Sequence, residues 1–332
     1  MSKKIEFIVI GQGIAGSCFA WNLYFNDKSF IILNSEKKNC ASSAALGIYN
    51  PITGRRHTKT WNVEKLFECL ENFYEKVEKK IKTKILYKKD IYRPFKNDAD
   101  QNNWDARLSN NNYKDYIKER SSNGVLTTNC GHIDVNKFIN ETRKYFKRLN
   151  RYKKYEFNNS FIIDRKRVKM RNFNSNKIVM CTGIDEKNSK YFSFLPLKEL
   201  SGNSILIESI FKTKNIINKG ITMLPLKENN YHVGSTYENS YKNMGIGSLL
   251  SKIKEITHKK FKLKDKKFGI RASTSDRRPV IGRHPLLKNL YIMNGFGSKG
   301  VSQAPYCSEI LYNNIENNNI IEKEINIDRF KS

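Results

Sequence analysis

The chain is short of the residues that build metal centres and disulfide frameworks. Its six cysteines (Cys18, Cys40, Cys69, Cys130, Cys181 and Cys307) lie scattered, with no CxxC pair among them. That excludes a zinc-finger spacing and a secreted disulfide scaffold, and it points to a reducing, cytoplasmic compartment. The five histidines are far apart and give no ligand pattern, so no metal is expected. No apolar run approaches the roughly 20 residues of a membrane span, so no membrane partner is expected. Ser2-Lys3-Lys4 before an apolar run superficially resembles a secretion signal, but the glycine turn that follows accounts for that run better. No internal repeat is visible. Acidic residues are also scarce, 32 against 61 basic ones, for a net charge of +29 in 332 residues. Two explanations stay open. One is an anionic partner, most naturally a nucleic acid. The other is a codon bias toward Lys, Asn and Ile, since the lysines spread through every segment.

What is present starts at the N-terminus. Ile5-Glu6-Phe7-Ile8-Val9-Ile10 is an apolar, β-branched run. Gly11-Gln12-Gly13-Ile14-Ala15-Gly16 is a glycine turn, and Ser17 to Leu23 reads as a helix. This is the strand–turn–helix opening of a dinucleotide-binding unit. Gly11 permits the tight turn, Gly13 lets a pyrophosphate approach the backbone, and Gly16 lets the helix lie close to the strand. The helix N-terminus then offers free N–H groups to phosphate. Phe30 to Leu33 has the place and composition of the second parallel strand. The following position, where a carboxylate would hold a ribose, is Asn34, with Glu36 nearby as a substitute.

The stretch from Cys40 to Arg56 is small, polar and too aperiodic for a helix or strand. The hydroxyls of Ser42 and Ser43 suit phosphate, and Arg55 and Arg56 could neutralise it. An ordinary surface loop is the plainer alternative. Val63, Leu66, Phe67, Leu70, Phe73, Tyr74 and Val77 share one face of a helix from Trp61 to about Lys80. Ile85 to Arg93 reads as one strand, and Lys96 to Asn123 as loops and short helices of a separate lobe. His132 stands in Cys130-Gly131-His132-Ile133-Asp134, before a helix from Val135 to Leu149 capped by Asp134. Beside a glycine turn it reads as structural more readily than catalytic. A hairpin is expected from Tyr155 to Arg171. Lys177 to Cys181 is a buried strand ending in Thr182-Gly183. Ser204–Glu208, Ile221–Leu226 and Tyr231–Thr236 read as antiparallel strands, and a helix falls between Asn239 and His258. Near the C-terminus a second strand–glycine turn–helix appears, Leu290 to Asn294 and then Gly295-Phe296-Gly297-Ser298-Lys299-Gly300.

In this order, five stretches resemble the D-amino-acid oxidase / glycine oxidase (DAO) family of FAD-dependent oxidoreductases. They are the Gly11–Gly16 turn; Ser42-Ser43-Ala44-Ala45-Leu46-Gly47 with Pro51; Gly131-His132-Ile133-Asp134; Val179-Met180-Cys181-Thr182-Gly183; and Gly269-Ile270-Arg271 … Arg278-Pro279-Val280-Ile281-Gly282 with Gly295 to Gly300. Tyr231-His232-Val233-Gly234-Ser235-Thr236-Tyr237-Glu238 adds a family-like strand. The resemblance implies an α/β (α+β overall) architecture, with a Rossmann-like FAD-binding domain (1–60, 131–200 and 269–332) and an antiparallel-sheet substrate domain (61–130 and 201–268). It implies FAD held by Gly11, Gly13, Ile14, Ala15, Gly16, Asn34, Ser42, Ser43, Ala44, Gly47, Thr182, Gly183, Gly295, Gly297, Ser298, Lys299 and Gly300. It assigns the reacting site to Arg271, which would hold a substrate carboxylate, with Ser298 and Lys299. The implied reaction is oxidation of the C–N bond of a small glycine-like amine or amino acid.

Gly297-Ser298-Lys299-Gly300, with Arg271-Ala272-Ser273-Thr274-Ser275-Asp276 upstream, is similar to the oxidase half of a bifunctional tRNA-modifying enzyme. That likeness implies the same chemistry on carboxymethylaminomethyl-uridine in tRNA, although this chain carries no methyltransferase half. A degenerate flavoprotein without catalysis is the third reading. The sequence gives neither the oligomeric state nor the electron acceptor.

Overall fold

The computed structural model describes residues 3–35, 40–54, 56–155, 162–163, 168–170, 173–236 and 245–330. Glu36, Arg55, Tyr237 and Glu238 lie outside the described residues, as does part of the hairpin expected from Tyr155 to Arg171.

Among the described residues two eight-stranded sheets dominate, with a three-stranded and a two-stranded sheet beside them. The first is built on parallel strands in the spatial order Tyr152–Lys154, Phe30–Asn34, Lys3–Ile10, Phe173–Met180 and Leu290–Asn294. Alternation along Lys3–Ile10 decides what each face meets. Phe7 and Val9 pack with Phe19 and Trp21 of the helix Ile14–Phe25 and with Tyr306 and Leu311 of the helix Gly300–Asn317. Ile8 and Ile10 pack on the other side with Phe192, Leu195 and Ile327. A strand buried on both faces reads as a continuous apolar run, and this one does. The expected hairpin is represented by Ile162–Ile163 and Val168–Met170, which pair antiparallel on the edge of this sheet.

The second sheet runs Phe261–Thr274, Leu197–Ser209, Asn230–Gly234, Ile221–Pro225, Ile216–Lys219, Ile91–Pro94, Gly124–Thr127 and Ile117–Ser121. All its pairings are antiparallel except Ile216–Lys219 with Ile91–Pro94. One face is apolar, with Ile205, Ile207, Met223, Tyr231 and Val233 covered by Leu249 and Ile253 of the helix Gly245–Ile256. The other face turns toward the first sheet. Ser204 on that face donates to the carbonyl of Ala44, 2.8 Å away.

The structure departs from the sequence reading in several places. The single strand expected from Ile85 to Arg93 is two, Leu86–Lys88 and Ile91–Pro94. They belong to different sheets, because Leu86–Lys88 pairs with Gly131–Ile133 and Ile91–Pro94 with Gly124–Thr127. The aperiodic 40–56 stretch holds a 3-10 turn, Ala41–Ala44, and two-residue strands at Ile48–Tyr49 and Ile52–Thr53. The Lys96–Asn123 lobe contains a strand, Ile117–Ser121, as well as the helix Asp98–Leu108. The domain boundaries at 200/201 and 268/269 fall inside Leu197–Ser209 and Phe261–Thr274, two long strands that pair along their whole length.

Candidate cofactor and substrate site

The first glycine turn is fixed by contact. Gly11 has φ +91°, and a Cβ there would lie 2.5 Å from the Cys181 carbonyl oxygen. A Cβ on Gly16 would lie 1.9 Å from the Gly11 carbonyl oxygen, so the helix can start here only without a side chain. Gly13 caps the helix Ile14–Phe25 with no side-chain hydrogen bond of its own, and no acidic residue sits in the first turn. Ser42 comes in from the neighbouring 3-10 turn, and its Oγ accepts from Ile14 N–H at 3.1 Å. Ser43 spends its hydroxyl on the Cys40 carbonyl, 2.7 Å away, so the two serines have different jobs. Arg56 lies beside Arg107, which donates to its carbonyl.

Asn34 is used by the turn itself. Its Oδ1 accepts from Gln12 N–H at 2.7 Å, and its Nδ2 faces the Tyr152 hydroxyl at 3.4 Å. Gln12 is buried, donates from Nε2 to the Ile139 carbonyl (2.9 Å) and accepts from Arg143 Nε (2.8 Å). Gln12, Arg143 and Tyr152 thus shape the end of the turn, and sequence pattern alone does not single them out. Gly47 (φ +73°) lies against the Ile133 carbonyl, 1.9 Å from where its Cβ would be, so its immediate role is to let two chain segments touch.

A second helix N-terminus stands beside the first. A Cβ on Gly300 would come within 2.9 Å of Ile14 Cγ2. The helix Gly300–Asn317 is capped by Lys299, again with no side-chain hydrogen bond and no acid in its first turn. Burial, then the charges of Arg278 and Arg277, hold the Lys299 ammonium below its ordinary pKa. Gln303, buried in the first turn, leaves its Nε2 donor without a partner among the described residues. Thr182-Gly183 is tied to this second turn, since Asn294 Nδ2 donates to the Gly183 carbonyl (2.7 Å) and Asn294 Oδ1 accepts from Gly295 N–H (2.8 Å). Thr182 donates to Glu186 at 2.6 Å, and burial raises the pKa of that carboxyl.

Two adjacent helix N-termini, neither with an acid in its first turn, make a strong anion field. With the glycine cradle at Gly11–Gly16 and the unspent Gln303 donor, the residues present fit a dinucleotide cofactor. Gly295 and Gly297 both take positive φ, +78° and +54°, and the second places Ser273 Oγ 3.4 Å from a would-be Cβ. The turn therefore runs against the strand Phe261–Thr274, and Gly297 N–H donates to the Ala272 carbonyl at 2.8 Å.

That strand carries Arg271. The pairing Leu200↔Arg271, Gly202↔Gly269 and Ser204↔Lys267 puts Arg271 on the same face as Gly269, which packs on Ala41 and Ala44. The guanidinium lies over Gly202, where a Cβ would sit 2.6 Å from both Nη atoms. Nη1 also donates to the carbonyls of Thr236 (3.3 Å) and Ser201 (3.5 Å). These backbone carbonyls orient the fork. Gly202 is legible in the sequence as an isolated glycine in a strand pattern, which marks a close approach.

His132 is buried, stacks on Tyr87 at 4.8 Å, and has its pKa pushed by burial down to about 4. His232 is half-buried, and desolvation lowers its pKa likewise, to about 4, with Nε2 3.0 Å from Ser204 Oγ. Because Ser204 gives its one proton to Ala44, His232 must donate from Nε2. Both histidines are neutral near pH 7, and His232 serves to orient Ser204. Among the described residues no cluster of His, Cys, Asp and Glu could hold a metal. No helix among them is long and apolar enough to cross a membrane.

Known structures share this architecture. The iminodiacetate oxidase of Chelativorans sp. BNC1 superposes with a TM-score of 0.80 at 15% identity, over 96% of this chain and 98% of that one. The glycine oxidase of Geobacillus kaustophilus gives 0.79 at 14% identity, over 99% and 98%. An L-amino acid deaminase from Proteus myxofaciens gives 0.74 at 12% identity, over 100% and 95%. At these identities the likeness is one of fold. The family model for FAD dependent oxidoreductases (DAO) matches residues 6–313. A match over nearly the whole chain, on a fold that brings two glycine turns together, places this protein in the DAO family of FAD-dependent oxidoreductases.

Proposed function

We propose that the enzyme oxidises the C–N bond of a small glycine-like amine or amino acid. The observation that carries this reading is Arg271, a half-buried guanidinium oriented by the Thr236 and Ser201 carbonyls on the face that packs against the Ala41–Ala44 turn. Its planar fork can take a carboxylate through two parallel bonds, which fixes the α-carbon in one orientation. FAD, when bound at the glycine turns, supplies the hydride acceptor at flavin N5. The residues that would hold it are Gly11 to Gly16 with Ser42 at the pyrophosphate, and Thr182-Gly183 and Gly295 to Gly300 along the ring system.

No side-chain base is required if the amine binds unprotonated. The α-C–H leaves as hydride, the nitrogen lone pair forms the C=N bond, and water hydrolyses the imine. The chain's contribution is orientation and exclusion of water: Gly269 lets the Ala41–Ala44 turn close over the strand, and Ser204 ties that turn down through Ala44.

A second reading keeps the chemistry and changes the substrate to a carboxymethylaminomethyl-uridine in tRNA. What favours it is that the strand carrying Arg271 is the edge of its sheet and exposes Lys262, Lys264 and Lys266. Such a row suits a polyanion backbone. The test is an anaerobic titration of the FAD-loaded protein with glycine, sarcosine, D-amino acids and then wobble-modified tRNA. Bleaching of the flavin band by a small amine supports the first reading, and bleaching by tRNA alone supports the second. A protein that binds FAD but is reduced by neither, or that takes up no FAD, refutes both.

A further inference from the structure

In a dinucleotide cradle the residue that closes the second strand offers a carboxylate to the adenosine ribose, and a nearby arginine is what accommodates a phosphate on the 2′-hydroxyl. Here the second strand, Phe30–Asn34, ends in an amide. That amide is spent inside the glycine turn. Its Oδ1 accepts from Gln12 N–H at 2.7 Å, and its Nδ2 faces the Tyr152 hydroxyl at 3.4 Å. On the neighbouring strand, Tyr152–Lys154, the residue in register with Asn34 is a lysine, Lys154.

A second cation comes in from the helix Val135–Arg148. Ile139 and Arg143 are four residues apart on it and so share one face. Both hold Gln12. The Ile139 carbonyl accepts from Gln12 Nε2 at 2.9 Å, and Arg143 Nε donates to Gln12 Oε1 at 2.8 Å. Arg143 is half-buried, and its Cζ lies 5.8 Å from the centre of the Tyr152 ring. Lys147 Nζ lies 5.2 Å from the same ring. Only one edge of the Arg143 fork is used, since neither Nη group has a hydrogen-bond partner among the described residues. None of Gln12, Asn34 and Arg143 bonds to a carboxylate among those residues.

We infer that Arg143 takes the place of the missing carboxylate, so that the cradle meets the adenosine ribose with cationic donors and accepts a phosphate on its 2′-hydroxyl. The ligand class is a 2′-phosphorylated adenine nucleotide, bound in the same cradle as the adenosine of FAD. A planar fork with both Nη groups unspent suits a phosphate, whereas a carboxylate in that place would repel one. The inference rests on the pyrophosphate lying at Gly11 to Gly16, and not on which amine is oxidised.

The test is displacement of FAD from the holoenzyme, read as the rise in fluorescence of released flavin. The two competitors are adenosine 5′-phosphate and adenosine 2′,5′-bisphosphate, which differ by one phosphate. The bisphosphate should compete at least about tenfold better at low salt, and its advantage should shrink as salt is added. In Arg143→Ala the ratio should fall to about one. In Arg143→Lys it should be intermediate, because the charge stays and the fork is lost. Asn34→Glu, which restores a carboxylate and can still accept from Gln12 N–H, should reverse the preference. Bound FAD and Tm are measured on each variant. An arginine that only props Gln12 would weaken both competitors alike in Arg143→Ala and leave the ratio unchanged. A preference set by the net charge of +29 would also survive the loss of one arginine. Either outcome overturns the inference, as does a ratio unmoved by Arg143→Ala but raised by Glu36→Gln, which returns the ribose to a carboxylate. If both competitors displace FAD equally from the parent protein, the cradle stands and the role of Arg143 falls. If neither displaces it, the placement of the pyrophosphate falls and the inference with it.

Discussion

Gly202→Ala tests the arginine clamp without touching the arginine. Gly202 does not occupy the left-handed region, so an alanine adds no backbone strain. It adds a methyl group 2.6 Å from both Nη atoms of Arg271 and 2.5 Å from the Thr236 carbonyl oxygen. Carbon does not approach other heavy atoms so closely, so both the Thr236 backbone and the guanidinium must give way, and a retreat of the fork by roughly 1 Å can cost about 100-fold in rate. Removing the fork altogether, as Arg271→Ala, should cost about 2–4 kcal/mol of transition-state binding, or about 30- to 1000-fold in kcat/KM. Arg271→Lys keeps the charge but loses the second bond, and should fall between parent and alanine. The assay is anaerobic stopped-flow reduction of the flavin by a carboxylate-bearing amine, with FAD occupancy and Tm measured on each variant. All three variants should retain FAD and lose activity mainly through KM. A Gly202→Ala protein with bound FAD and unchanged kcat/KM would show that the guanidinium does not work from its position over Gly202. If Arg271→Ala were equally unaffected, the clamp itself would be refuted.

Other consequences follow from named contacts. Gly16→Ala places a methyl group 1.9 Å from the Gly11 carbonyl oxygen and should abolish FAD retention, read as loss of the visible flavin band after purification. Asn294→Ala unties Gly183 from Gly295 and should weaken FAD binding by about tenfold while leaving the fold intact, measured by fluorescence titration of the apoprotein. Gln12→Leu frees the Ile139 carbonyl and Arg143 and should lower FAD affinity through the adenosine end alone, leaving kcat of the loaded enzyme unchanged. Stability should decline as pH falls from about 6.5 toward about 4, because His132 and His232 are held neutral when folded and protonate more readily when unfolded. Tm measured across that range should show a slope that His232→Gln reduces, and an unchanged slope in that variant would remove His232 from the account.

The parts of the fold that could be read from sequence are those where one local pattern fixes one structure. Ile5–Ile10 with its glycine turn could be placed because strand, turn and helix each carry their own signal within a few residues. Asp134 as a helix cap is another case, since its Oδ1 accepts from Lys137 N–H at 3.0 Å. What failed depended on partners distant in the chain. Ile85 to Arg93 looks like one strand, yet Lys89 and Asp90 separate pieces that pair with Gly131–Ile133 and with Gly124–Thr127, in two different sheets. Ile216–Lys219 is a strand only because Ile91–Pro94 and Ile221–Pro225 flank it. Asn34 could be located but not interpreted. Its amide oxygen is taken by Gln12 N–H, an interaction no spacing rule announces.

The same distinction separates the two halves of the site. The cofactor cradle is written in glycines, because close approach leaves a compositional mark. The proposed substrate face is written in parity, and parity becomes readable only once a register is known. Arg271 and Lys267 share a face because Gly202 pairs with Gly269 and Ser204 with Lys267. Shifting that register by one residue would carry Arg271 to the face covered by Leu249 and Ile253. Three contacts resist such a shift. Gly202 has room only for the guanidinium above it, Gly269 only for the Ala41–Ala44 turn, and Ser204 bonds to Ala44. The residues that look least chemical therefore decide where the one arginine of the G-x-R stretch points. A substitution at Gly269 should accordingly harm both halves at once, since a Cβ there would press on Ala41 at 3.0 Å and Ala44 at 3.1 Å. Gly269→Val should weaken FAD binding and raise KM together, whereas Gly202→Ala should raise KM alone. Identical effects of the two variants on FAD affinity would mean that the sheet does not position the cofactor loop.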